Sequence, residues 1–386
     1  MYPTISDLIK DLTGIYIPLP VQSFGFMMAV AFLFAAWTLA LELRRKEKQG
    51  LLQATPKKIV VGKPASVSDL VWNGAIGFLL GFKLVEMALH YSDLVQDPQS
   101  FILSARGNIG GAIVVAGVMM YLKYRDGEKH KLAKPQEKTI MISPHQRVGD
   151  ITIVAAVSGL LGAKIFDNLE HIDSFLADPI GSLFSFSGLT FYGGLIFGAV
   201  AVLWYGHRHK IPIPHMLDAA APGLILAYAI GRIGCQLAGD GDWGIVNLHP
   251  KPSWWILPDW TWAFTYPHNV IQEGVQMANC TGRFCYELAE PVFPTPLYET
   301  TAGLIIFLFL WGIRKRITIP GVLFCVYLVL NGIERFLIEL IRVNAKYHVL
   351  GITFSQAELI AVLLVVAGIA GLFYFRKKFR RETRPE

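Results

Sequence analysis

Charge is what this 386-residue chain has least of. Only 17% of its residues are Asp, Glu, Lys or Arg, against about 25% in soluble domains. The shortage excludes an ordinary soluble domain, because 53% of the chain is hydrophobic and a single soluble core does not need that much apolar surface. Cysteine is scarce as well: Cys235, Cys280, Cys285 and Cys325 are the full set, without a CxxC pair or Cys/His zinc spacing, so no structural metal is expected. The amino terminus lacks a basic stretch followed by a short apolar run and a small-residue cleavage site, and no cleaved signal peptide is expected.

Long apolar runs are what is present. They lie at about 18–43, 68–91, 108–124, 149–166, 187–206, 216–238, 296–313, 320–341 and 355–375. Each approaches the roughly 20 residues that a helix needs to cross a bilayer. The reading is an all-α integral membrane protein with about nine transmembrane helices. Of the 35 Lys and Arg residues, 25 fall on alternate linkers, at 44–63, 123–147, 208–210, 314–316 and 376–384. The positive-inside rule then places the N-terminus outside and the C-terminus in the cytoplasm. The net charge of +6 is thus topological, and nucleic acid is not an expected partner.

That topology makes residues 239–295 an external, periplasmic subdomain on a single polytopic membrane domain, 1–386. Five of the nine tryptophans (Trp243, Trp254, Trp255, Trp260 and Trp262) fall in it. They suit either the membrane interface, where an indole has one apolar and one wet side, or a small packed subdomain. Cys280 and Cys285 share the segment and would be free to pair outside the cytoplasm.

The chain also repeats itself. With an offset of 81, Gly81, Lys83, Glu86, His90, Asp97 and Pro98 match Gly162, Lys164, Asp167, His171, Asp178 and Pro179; after a two-residue slip Gly110-Gly111 matches Gly193-Gly194. Residues 68–124 read as an extra, duplicated helical hairpin of the same orientation, unlike the inverted repeats of many secondary transporters.

Positive residues inside spans are costly, roughly 2.5–3.5 kcal/mol for a central Arg or Lys, and face the interior or water. Four qualify. Lys83 and Lys164 each precede an acid by three residues, Glu86 and Asp167, and can pair with it across one turn. Arg335 belongs to a polar stripe, Asn331, Arg335, Glu339 and Arg342, spaced four, four and three. A guanidinium grips phosphate bidentately and keeps its charge in low dielectric, although Arg335 can also simply be locked to Glu339. Arg232 has Tyr228, Ala229, Cys235 and Gln236 at i−4, i−3, i+3 and i+4. It needs a distant partner, either a carboxylate such as Asp240 or an anionic ligand, and the ligand is the favoured reading. Ser187–Leu195, with Tyr192, Gly193 and Gly194, lets a backbone or a lipid chain approach closely, or serves helix packing alone. Pro294–Glu299 reads as a helix start, with Thr295 as cap, Pro296 at N1, and Tyr298 and Glu299 in the first turns.

Taken together, these four elements resemble the prolipoprotein diacylglyceryl transferases. Gly231–Gly244 looks like that family's G-R-x-G-N-F-x-N signature, Phe191–Leu195 like F-H-G-G-L, Thr295–Glu299 like P-T-x-L-Y-E, and Asn331–Arg342 like Y-G-x-x-R-F-x-x-E-x-x-R. The resemblance covers most of residues 18–43 and 149–375. It implies a seven-span enzyme of the bacterial cytoplasmic membrane, to which the extra hairpin adds two spans. The implied reaction moves diacylglycerol from phosphatidylglycerol to the lipobox cysteine of a prolipoprotein and releases glycerol phosphate, with the site facing the periplasm and no metal or soluble cofactor. The partners implied are phosphatidylglycerol, the prolipoprotein signal peptide and membrane lipids.

By position, Arg232 and Arg335 would bind the phosphate and Glu339 would orient Arg335. Asp240 or Asp242 would stand where the family has Glu. Tyr192 holds the family histidine's catalytic position, and Gly193, Gly194, Gly244, Asn331, Tyr298 and Glu299 would line the substrate. The sequence departs from the pattern at Tyr192, Cys235, Ala238, Asn331 and Phe24-Gly25. A tyrosine with pKa near 10 is a poor base, which leaves the arginine field, or a residue such as His171, to activate the thiol. A non-catalytic phospholipid-binding or lipid-moving relative is the alternative.

Overall fold

Apolar runs of this length have one way to satisfy their backbone in lipid, which is to bond it internally as helix. The computed structural model, which describes residues 1–184, 190–280, 282–344, 346–349 and 352–382, is accordingly dominated by α-helix. Long helices occupy α2 (Ser23–Lys48), α3 (Val67–Leu89), α6 (Ile109–Lys129), α7 (Val148–Glu170), α10 (Phe191–Arg208), α11 (Ile213–Ala238), α12 (Thr295–Ile313), α13 (Val322–Glu339) and α14 (Gln356–Glu382). Short helices fill the remaining positions: α1 (Ile5–Thr13), α4 (Tyr91–Gln96), α5 (Pro98–Leu103), α8 (Ile172–Ala177) and α9 (Pro179–Phe184). Three two-stranded sheets complete the described residues: β1 (Thr55–Val61) with β2 (Gln136–Ile142), β3 (Val275–Gln276) with β4 (Tyr286–Glu287), and β5 (Lys346–Val349) with β6 (Ile352–Ser355).

Among the described residues, six helices are long and apolar enough to cross a membrane: Ser23–Lys48, Val67–Leu89, Pro144–Glu170, Ile213–Ala238, Thr295–Ile313 and Gln356–Arg380. The other three long helices are diluted by polar residues or glycine. α6 ends in Lys123, Arg125 and Asp126, α10 carries Gly193, Gly194, His207 and Arg208, and α13 carries Glu334, Arg335 and Glu339. The chain is an all-α integral membrane protein with at least these six candidate spans.

Two compact units divide the chain: residues 2–23 with 56–141, and Met1 with 24–55 and 142–386. In the larger unit α7 packs on α10, α11 on α12, and α13 on α14. α11 is its most buried long helix, and Ile225 on α11, Leu310 on α12 and Leu323 on α13 share one core cluster. Asp218 of α11 sets the register of α13 by accepting from the backbone N–H groups of Gly321 (2.8 Å) and Phe324 (3.0 Å). A helix start otherwise leaves such donors unpaired. This cap, from about a hundred residues away, aligns the face of α13 bearing Glu334 and Arg335 with the face of α11 bearing Tyr228 and Arg232.

The repeat is carried in the backbone. The path α3–α4–α5–α6 of the smaller unit has the same plan as α7–α8–α9–α10 of the larger one. The junction residues agree closely, His90 at φ −119°, ψ 47° and His171 at −118°, 50°; Asp97 at −143°, 83° and Asp178 at −143°, 84°. Close packing corrects the expected slip. A Cβ on Gly81 would sit 2.4 Å from Gly111 O, and one on Gly162 would sit 2.4 Å from Gly193 O. Gly111 therefore corresponds to Gly193, and the slip is one residue, because the contact between backbones sets the match.

A second correction concerns Lys83. Its ammonium leaves Glu86 and donates to the carbonyls of Phe101, Ser104 and Arg106, while Glu86 faces His90 at 3.1 Å. Three carbonyls at the exit of α5 outweigh one carboxylate a turn away. Lys164 does pair with Asp167, at 3.4 Å.

Residues 239–295 pack around Trp243, Tyr266, Leu288 and Val292, with Cys280 and Cys285 joined in a disulfide. Trp243 is core, Trp255 and Trp262 lie against one another at 5.3 Å between ring centroids, and Trp254 and Ile256 are exposed. The tryptophans thus serve both a packed subdomain and an apolar outer face.

Candidate functional site

α11 ends at Ala238, and Gly239, at φ +62°, closes it by returning its N–H to Cys235 O at 2.9 Å. The left-handed conformation, cheap only for glycine, turns the chain back over the helix end. Residues 240–245 are thereby brought over Arg232. Their backbone is stitched between two other segments, Gly244 N–H to Phe293 O and Ile245 N–H to Ile341 O, both at 2.8 Å. The Thr295 hydroxyl donates to Asp242 O at 2.7 Å. α12 starts with Thr295 at its first position and has Pro294 at the N-cap position, without a side-chain cap. Thr295 therefore anchors the Asp242 turn instead of capping its own helix, one residue away from the expected role.

Three arginines converge on two carboxylates here. Glu299, wholly buried on α12, faces Arg232 Nε at 3.1 Å, Arg335 Nη1 at 3.1 Å and Arg342 Nη1 at 3.3 Å. The Arg232 contact is an ion pair without the alignment of a hydrogen bond. Asp242 is held by Arg232 through one oxygen and by Arg342 through the other. Arg335 also pairs with Glu339 at 3.1 Å, and Glu339 in turn accepts from Asn344 and from the Ser355 hydroxyl. Arg342, the last residue of the expected stripe, lies past the end of α13, and the bridge between Gly244 and its backbone brings it in. Arg232 also stands over the Tyr228 ring, 5.3 Å from its centroid.

The cluster has a closed and an open side. Glu299 and Glu339 are sealed, whereas the Arg232, Arg335 and Asp242 side chains keep 17%, 21% and 32% of their exposure. Burial pushes the Asp242 carboxyl up, but Arg232 and Arg342 outweigh it and hold the group below the usual carboxylate range. Asp240 goes the other way: burial, reinforced by the Asp242 charge, pushes its carboxyl up. The Asp242 N–H donates to Asp240 Oδ1 at 3.3 Å. Cys235, Asp240 and Asp242 do offer three donor atoms within 4.8 Å of one another. Both Asp242 oxygens already serve guanidiniums, however, and those charges oppose a cation, so the chemistry favoured is anion binding.

The remaining expected residues divide. Tyr192, at the start of α10, lies within electrostatic reach of Arg335, Glu339 and Arg342. Gly193 and Gly194 are taken up by packing against Gly162 and Gly159 of α7. Tyr298 donates to Thr261 O at 2.8 Å and meets the Trp255 ring edge-to-face, 6.0 Å between centroids. Asn331 makes no hydrogen bond or ion pair among the described residues. The His171 ring faces its own helix, 3.4 Å from Asp167. Ser187, Gly188 and Leu189 lie outside the described residues. Sequence reasoning missed Tyr228 and Glu334, which meet at the base of the cluster. Tyr228 sits one turn before Arg232, and Glu334 adjoins Arg335, but neither follows the polar spacing.

The prolipoprotein diacylglyceryl transferase family model matches residues 111–374. Curated proteins named phosphatidylglycerol–prolipoprotein diacylglyceryl transferase are similar. That of Corynebacterium efficiens is 32% identical over 58% of this chain and 66% of its own length, just under two thirds. That of Leptospira interrogans is 27% identical over 56% and 76%, and that of Dehalococcoides mccartyi 29% over 60% and 77%.

Proposed function

The chain belongs to the prolipoprotein diacylglyceryl transferase family, and from that premise we propose that it moves the diacylglyceryl group of phosphatidylglycerol onto the lipobox cysteine of a prolipoprotein. The observation that carries the reading is the convergence of Arg232, Arg335 and Arg342 on the buried Glu299, with an open side where Arg232 and Arg335 remain accessible. A phosphate arriving from that side meets two guanidinium forks. As the thiolate sulfur bonds to the glyceryl carbon, the C–O bond breaks and its electron pair goes to the phosphate oxygen. Fixed arginines stabilise that growing charge more than the ground state, which lowers the barrier.

A thiol of pKa near 8.5 must lose its proton on the way. Asp240 is suited to accept it, since a raised carboxyl is a stronger base than an ordinary one and Asp242, neutralised by two arginines, is a weaker one. Asp242 therefore acts as the clamp and Asp240 as the proton acceptor, with the Tyr192 hydroxyl nearby as a hydrogen-bonding group rather than a base.

The same reading extends to topology. All nine long helices cross the cytoplasmic membrane, with α6, α10 and α13 turning their polar faces inward. Residues 68–124 form an inserted duplicate of the α7–α10 hairpin, residues 239–295 stand in the periplasm, and the site opens there. The test is transfer of labelled diacylglycerol from phosphatidylglycerol vesicles to a lipobox peptide. A thioether product, lost in Arg232→Ala and Arg335→Ala, is expected; full activity in both variants defeats the assignment. Tyr192, Cys235 and Asn331 favour a second reading, a phospholipid-binding relative without turnover. Binding of phosphatidylglycerol with no product selects it.

A further inference from the structure

Glu334 makes no ion pair among the described residues, although it is buried within reach of Arg232, Arg335 and Glu299. Its Oε1 lies 3.2 Å from the Tyr228 hydroxyl, and that same hydroxyl lies 3.1 Å from Glu299 Oε1. A phenol has one proton to donate. Shared between two carboxylates, that proton makes only weak bifurcated contacts, whereas both become full hydrogen bonds when one runs the other way, with a protonated carboxyl donating to the phenolic oxygen. Glu299 faces three guanidiniums and is the ionised member.

Glu334 then holds the proton. Its second oxygen, Oε2, is buried without a partner, a cost that is tolerable for the carbonyl oxygen of a neutral acid and severe for a charged carboxylate. The charges agree. Arg232, Arg335 and Arg342 are balanced by Glu299, Asp242 and Glu339, leaving no cation for a fourth anion. The groups facing Glu334 are Tyr228 and Arg232 from α11, Glu299 from α12, and Arg335 and Tyr327 on α13.

We propose that Glu334 is a stored proton that passes through Tyr228 to Glu299 during turnover, freeing the arginines for the leaving phosphate. The proposal rests on the transfer reaction of the preceding subsection. There a phosphodiester with one negative charge becomes a phosphate monoester with two, while its competitor for the arginines is Glu299. In the relay the Glu334 O–H bond breaks as a new one forms on the phenolic oxygen, and the phenol's own proton moves to Glu299 Oε1. Two O–H bonds break and two form, each electron pair stays on oxygen, and nothing is oxidised. Tyr228 is neutral before and after. The net effect moves one negative charge from among the arginines to Glu334, and the relay reverses when product leaves. Glu334 touches no substrate; it is a positioning residue acting through Tyr228 and Glu299.

Two measurements on the full-length protein in phosphatidylglycerol nanodiscs test this. The infrared difference between the unaltered protein and Glu334→Gln at neutral pH is expected to contain a carboxylic-acid C=O band from Glu334. Absence of that band overturns the proposal whatever the protein's activity. In the transfer assay, Glu334→Gln and Tyr228→Phe are each expected to lower kcat by about 10²-fold with KM for phosphatidylglycerol little changed. The double variant is expected to be no slower than the slower single one, and Glu334→Asp to recover part of the loss. Unchanged kcat in Glu334→Gln, or additive losses, overturns the relay. The acid band without transfer in the unaltered protein overturns the functional reading and, with it, the relay's part in turnover.

Discussion

Arg232 and Arg342 hold opposite oxygens of one carboxylate, Asp242, although Arg232 lies in the last two turns of one helix and Arg342 follows another, 110 residues later. Asp242→Asn removes the charge that keeps both guanidiniums aligned. Hydrogen bonds to charged groups are worth about 1.5–3 kcal/mol, and the lower end applies because the Asp242 side chain is about a third exposed. A lower thermal unfolding temperature and loss of diacylglyceryl transfer are expected together, read by tryptophan fluorescence and by the vesicle assay.

The two aspartates have opposite signs in pH. Asp242, depressed in the folded protein, contributes stability that is present above its unfolded value, near 3.9, and lost as pH falls through the folded value. Asp240, raised by burial and by Asp242, contributes stability below its unfolded value that is lost as pH rises through the folded one. Asp240→Asn is therefore expected to unfold at a higher temperature than the unaltered protein at pH 7, the gain shrinking on acidification, while its transfer rate falls. A variant both less stable and fully active would defeat both assignments.

Helix packing behind Tyr192 leaves no room for a side chain. A Cβ on Gly193 would meet Gly162 O at 2.4 Å and Phe166 Cβ at 2.5 Å, whereas on Gly198 its nearest neighbour is 3.6 Å away. Gly193→Ala is expected to cost about 1–3 kcal/mol, in the range of overpacked cores, and to lower transfer by displacing Tyr192. Gly198→Ala should be close to neutral. Paired thermal melts check the contrast.

The disulfide between Cys280 and Cys285 closes a loop of five residues in sequence separation. By the chain-entropy relation such a short loop is worth about 2 kcal/mol. The Cys280→Ser, Cys285→Ser double variant should melt earlier, and the unaltered protein should show the same drop on reduction. In intact cells a membrane-impermeant thiol reagent is expected to label the reduced pair; labelling only after lysis would reverse the proposed topology.

Helix and membrane character were legible in the chain itself. Runs of about 20 apolar residues and the shortage of charge are local properties, and a backbone in lipid has few ways to satisfy itself. Arg232 and Arg335 also stood out, because a cation in such a run needs a reason. Their distant partners did not. Sequence spacing reports contacts three and four residues apart, so it found Arg335 with Glu339 and Lys164 with Asp167. It also paired Lys83 with Glu86, which distant carbonyls overrule. Glu299 is 67 residues from Arg232 and read as part of a helix start, given a substrate-lining place only by the family resemblance; the packing of α11, α12 and α13, fixed by Asp218 across the chain, makes it the centre of the site. The sequence alone determined that there are arginines within or at the ends of long apolar runs. The tertiary structure decided which carboxylates neutralise them, and so which glutamate is left holding a proton.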